Sequence, residues 1–217
     1  MINDRPDRNQ EVFAGFGRLF GDYEVGNTLL NEVQKTLGQD VRLITDGTSW
    51  TSSSRRTEHG TVLRIGEQRL PAGIAQRWKW GADTKERQYL VKVAHEYAHA
   101  VQEEFDIDLS TWIGGSNDVS RSSVPYIQLY ALLSQTGPIH GLAQESLYHA
   151  QERNTRGLSM RIYEDMAEII GSYLLSGDYC RYRLRQSAPH LRSEKVAEIQ
   201  QLLGQIIMNW GERRRGR

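Results

Sequence analysis

The residues whose types and spacing could do chemistry lie together in Val93-Ala94-His95-Glu96-Tyr97-Ala98-His99-Ala100. On a helix, positions four apart sit one above the other on one face, so His95 and His99 can offer two imidazole nitrogens to a single point. A zinc ion held by neutral imidazoles fits that arrangement, with nitrogen–metal distances of about 2.0–2.1 Å. Glu96 leaves the same turn, where a carboxylate can take a proton from a metal-bound water. The bland alternative is a helix with two surface histidines and a solvated glutamate. The flanks argue against it. Leu90, Val91, Ala94, Ala98 and Val101 recur at helical spacing and put the motif on a partly buried face. The small residues Ala94, Ala98 and Ala100 let another element pack closely.

Two histidines leave a catalytic zinc one protein ligand short, since such sites use three and keep a fourth position open. The H-E-x-x-H-x-x-G-x-x-H pattern is rejected, because Gln102 and Phe105 stand where its glycine and last histidine belong. The stretch from Tyr163 to Gly171 is the better source of a third ligand. Glu164 and Glu168 share one helix face there, and Ile162, Met166, Ile169, Ile170 and Tyr173 supply an apolar side. Carboxylates at such a boundary are costly unless paired or metal-bound. Asp165, about 100° around the helix from Glu164, competes as a ligand. So do His140 and His149 on the preceding segment. Cys180 reads as a small buried residue.

His95-Glu96-x-x-His99 is the H-E-x-x-H arrangement of zinc metallopeptidases. With the downstream carboxylate helix, the chain resembles the gluzincins, the thermolysin-like and anthrax-lethal-factor-like group. The resemblance covers about 93–101 and 163–171. It implies a zincin-like fold, with Glu164 as the third zinc ligand. Glu168 would be the outer carboxylate that accepts the free ring N–H of a zinc-bound histidine, His95. The thermolysin-like branch more often carries aspartate at that second position. The implied activity is zinc-dependent hydrolysis of a peptide or protein substrate. Glu96 would act as general base and then proton donor to the leaving amine. The oxyanion would need a further donor, with Tyr148, Tyr163, Tyr173, Tyr179, Tyr182, His149 and His190 as candidates. In the family an edge strand binds the substrate backbone by β-addition, and 61–65 is the matching strand here by order along the chain.

These residues need elements to hold them. Residues 1–10 read as a flexible start, followed by a broken helix from Glu11 and a firmer one from about Gly26 to Leu37. Asp40 to Asp46 alternates like a strand, 47–60 is a polar loop, and Thr61 to Ile65 is a second strand. Asp83 or Thr84 caps a helix of about 84–105 that carries the histidines. A polar loop over 106–123 precedes helices from Pro125 to Gln135, Ile139 to Arg153, Ser159 to Leu175 (stopped by Gly177), and Ser193 to about Trp210. The expected architecture is a single α+β domain over 1–217, with a small N-terminal sheet and a mostly helical half carrying the metal site. Residues 1–10 and 212–217 are expected to be flexible.

Composition narrows the partners. The 217 residues carry 27 basic and 27 acidic side chains, so no global charge draws the chain to nucleic acid or an anionic membrane. One cysteine cannot make an internal disulfide. No apolar h-region opens the chain, and no apolar run approaches the ~20 residues that span a bilayer, so the expectation is a cytoplasmic protein. A second reading is a non-proteolytic zinc-binding regulatory or interaction protein. Its basic tail, Arg213 to Arg217, could touch phosphates, though the balanced charge argues against a broad nucleic-acid surface. Oligomeric state is not legible.

Overall fold

The structure, a computed structural model, describes residues 8–20, 41–58, 60–69, 84–105, 123–135 and 160–215. In chain order the described elements are α1 (Arg8–Phe20), β1 (Val41–Asp46), β2 (Ser53–Thr57), β3 (Gly60–Gly66), α2 (Lys85–Glu104), α3 (Val124–Ser134), α4 (Met160–Leu175), α5 (Gly177–Ser187) and α6 (Ser193–Arg215). The chain is therefore mixed α and β, with a small sheet early and helices after it. The expected helices over 26–37 and 139–153 and the loop over 106–122 lie outside the described residues.

α2 is the centre. Thr84 has extended backbone angles and its Oγ1 accepts the N–H of Arg87 at 3.1 Å, which starts the helix at Lys85. Val93, Ala94, Tyr97, Ala98 and Val101 are fully buried, so the stripe read from the sequence is core. Phe13 of α1 stacks on Tyr97 with centroids 5.5 Å apart. α4 crosses the same helix at Gly171, where a Cβ atom would stand 2.8 Å from the carbonyl oxygen of Ala94 and 3.0 Å from Cα of His95. Only a glycine lets the two backbones come so near.

The sheet has the order β1-β3-β2, with β1 parallel and β2 antiparallel to β3. Gly60, at φ 115°, closes the β2–β3 connection in a region that side chains disfavour. Two contacts set the sheet on α2. Thr61 Oγ1 donates to Glu103 Oε2 at 3.2 Å, and Lys92 Nζ donates to the Gly66 carbonyl. β3 thus runs antiparallel to α2, and about 16 Å of strand from 61 to 66 matches about 16 Å of helix from 103 to 92. Lys92 also reaches the carbonyls of Gln68 at 3.1 Å and Trp50 at 3.4 Å, and burial lowers its pKa to about 8.

Several expectations change. Residues 8–10 belong to α1 rather than to a flexible start. The polar loop over 47–60 contains strand β2, whose sequence Ser-Ser-Arg-Arg-Thr has no apolar alternation because most of it is exposed. β3 is the centre of the sheet and is paired on both sides, so 61–65 has no edge for a substrate chain. Among the described strands, the edge beside α2 is that of β2. Gly177 does not end a helical region: Ser176 Oγ accepts the N–H of Tyr179 at 2.9 Å and starts α5 immediately. α6 continues past Trp210 to Arg215, so 212–215 are helical rather than flexible. Arg213 donates to the Glu104 carbonyl at 2.8 Å and to Ser123 Oγ at 2.5 Å, and lies over the Phe105 ring. It serves as a cation at the C-terminal end of α2. Among the described residues no helix is long and apolar enough to cross a membrane.

Candidate metal centre

α2 and α4 bring three donor atoms to one place. His95 Nε2 lies 3.2 Å from His99 Nε2 and 3.1 Å from Glu164 Oε2, and the third edge, His99 to Glu164, is 3.6 Å. Four donors held about 2.0–2.1 Å from one ion at tetrahedral angles are about 3.3 Å apart, so the triangle has the size of one face of such a site. The two imidazole rings stand perpendicular, 4.7 Å between centroids, so their Nε2 lone pairs converge without the rings clashing. Among the described residues, His95, His99 and Glu164 are the group of histidine, cysteine and acidic side chains that could hold a metal ion. Asp165, the competing carboxylate, is fully buried and lies outside the cluster.

The proton positions follow from the neighbours. Gln102 is fully buried, and its Nε2 donates to the Tyr163 carbonyl at 3.0 Å. A carbonyl only accepts, so the Gln102 Oε1 must be the atom 2.8 Å from His99 Nδ1. That nitrogen therefore carries the hydrogen, and Nε2 of His99 has its lone pair free for a metal. The Tyr163 ring also stacks on the His99 ring at 5.1 Å. His95 turns its Nδ1 toward Glu168 Oε2, 3.6 Å away, while the other oxygen of Glu168 receives Arg183 Nε at 2.9 Å and Nη2 at 2.7 Å. Glu168 thus stands where the outer carboxylate was expected.

Electrostatics bind the group together. Burial acts to lower the His95 pKa, but the carboxylates of Glu164 and Glu168 beside it win and raise it to about 10. Burial acts to raise Glu164, and the neighbouring His95 and His99 imidazoles overcome that and hold it far below the usual carboxylate range. Glu96 is 6% exposed, and burial pushes its carboxyl up against the opposing fields of His99 and His95. Glu96 directly follows His95 in α2. A carboxyl with a raised pKa beside these side chains is suited to proton transfer.

The other expected participants divide. Tyr163 touches the cluster through His99. Tyr173 directs its hydroxyl toward Gly204 of α6, Tyr179 is buried in the core, and Tyr182 and His190 are exposed. Tyr148, His140 and His149 lie outside the described residues. Cys180 is fully buried with Sγ 3.9 Å from the Ile169 carbonyl, and burial raises its thiol to about 12. It takes no part in the centre. Sequence reasoning missed Gln102 and Arg183 as supports. The first was visible in principle, since an amide three residues after a ligand histidine shares its helix face.

No family model matches the chain, and neither a curated protein nor a solved structure matches it.

Proposed function

We propose that the chain is a zinc-dependent peptide hydrolase of gluzincin type, with a zincin-like fold, His95, His99 and Glu164 as ligands and Glu96 as general base. The observation that carries this reading is the convergence of His95 Nε2, His99 Nε2 and Glu164 Oε2 beside a buried Glu96 carboxyl. Two imidazoles and one carboxylate make a catalytic zinc set with an open fourth position. Bound there, zinc would supply a Lewis acid that brings the pKa of a water down towards about 7 and polarises the scissile carbonyl.

The chain's own residues do the rest. Glu96 takes the proton of the attacking water and then delivers it to the leaving amine. Gln102 holds His99 in the tautomer that presents Nε2, and Glu168 does the corresponding work on His95. The edge of β2 is suited to align an extended substrate backbone. A structural metal site has no use for Glu96, and Arg213 is engaged inside the fold, so neither the non-proteolytic nor the nucleic-acid reading gains support from these contacts.

The test is Glu96→Gln compared with wild type, both loaded with zinc, against a mixed peptide library. The variant is expected to retain one zinc and to lose about 10²–10⁴-fold in rate. A zinc-loaded Glu96→Gln protein as active as wild type would sink the mechanism.

A further inference from the structure

Glu168 and Arg183 form an ion pair with 1% and 0% of their side chains exposed. Stability alone gives little reason for such a pair, since well-packed apolar residues of the same volume do as well or better in a core. Its geometry gives another reason. Two nitrogens of Arg183, Nε and Nη2, donate to one oxygen, Oε1, and the second oxygen faces Nδ1 of His95. The two donors oppose rotation about the last torsion of a glutamate, which is otherwise broad and roughly two-fold. Arg183 itself is carried by α5, which is fixed by the Ser176 cap and by Gln200 of α6 donating to the Gly177 carbonyl at 2.8 Å.

We infer that Arg183 is a positioning residue for the metal centre, acting through Glu168 to hold the ring of His95 in its ligating orientation. This rests on the zinc reading above. A chain of contacts thus runs from α6 through α5 and Arg183 to Glu168 and the ligand. Arg183 touches neither metal nor substrate, so its effect is read at the metal and not only in turnover. Outer partners of ligand histidines are worth about tenfold to a hundredfold in metal affinity.

The experiment is zinc affinity by chelator competition, with the visible spectrum of the cobalt-substituted protein, for wild type, Arg183→Lys, Glu168→Gln and the double variant. Lysine keeps the charge but cannot give two coplanar donors. Arg183→Lys is expected to bind zinc about tenfold or more weakly and to shift the cobalt bands. In the Glu168→Gln background the same change should have no further effect, because its route is gone. Equal losses in both backgrounds, or none in either, would overturn the inference. Should Arg183→Lys fail to fold, Glu168→Gln/Arg183→Met, which removes both charges of the pair together, takes its place. It should bind zinc as Glu168→Gln does, and a further loss overturns the inference. A wild-type chain that takes up no zinc removes the proposed function along with it, whereas a zinc-binding wild type with insensitive variants removes only the role of Arg183.

Discussion

His95 and His99 are each faced from behind by a side chain outside the group of three donors, and the two neighbours differ in kind. His95 faces a carboxylate and His99 a neutral amide, so charge is added at one imidazole and only direction at the other. Gln102→Leu keeps the volume and removes the acceptor, freeing the His99 ring to choose its tautomer. Zinc affinity is expected to fall about tenfold, with the fold retained; chelator competition beside a thermal melt checks both, and an unchanged affinity would refute the assignment. At this scale the sequence was informative because helical spacing is simple: His95 and His99 pair by i, i+4 geometry, and Glu96 follows from the H-E-x-x-H motif they frame. Glu164 and Glu168 came from the resemblance, and the spacing alone left Asp165 in contention. Its burial outside the cluster could be learned only from the packed helix. Arg183 was out of reach, since it lies fifteen positions from Glu168 on a helix that no local pattern announced.

The centre exists because two helices approach closely, and Gly171 permits it. A methyl group there would sit 2.8 Å from the Ala94 carbonyl and 3.0 Å from Cα of His95, both backbone atoms that cannot step aside alone. Gly171→Ala is expected to cost about 1–3 kcal/mol in denaturant unfolding and to weaken zinc binding as α4 moves off α2. Full stability and affinity in that variant would mean that the crossing is looser than described here. Elements with a buried stripe were legible: α2, α3, α4 and most of α6 fall where apolar spacing set them. Those without one were not. β2 is mostly exposed and polar, and the glycine at the start of α5 resembles a helix stop as much as the residue after a serine cap.

For the whole molecule, the helices around α2 form one core that excludes water from groups which ionise in alkali. Cys180 illustrates the sign. Burial raises its pKa from 9.0 to about 12, so between those values the native chain holds the proton that the unfolded chain has lost. Its contribution is therefore whole below pH 9 and is lost as pH rises toward 12. The stability advantage of wild type over Cys180→Ala should shrink across that window, by up to about 1.4 kcal/mol per pH unit, in denaturant titrations. A constant difference would contradict the burial of the thiol. Which edge of the sheet is open is also a property of the whole, since strand order depends on pairing across the chain rather than on local pattern. The central claim, a zinc centre made by α2 and α4, is tested most directly by the metal content of the purified protein by elemental mass spectrometry, wild type beside Glu164→Ala. The account predicts one zinc per wild-type chain and far less in the variant. Equal zinc in both would contradict Glu164 as a ligand, and no metal in either, even after zinc is supplied, would contradict the centre itself.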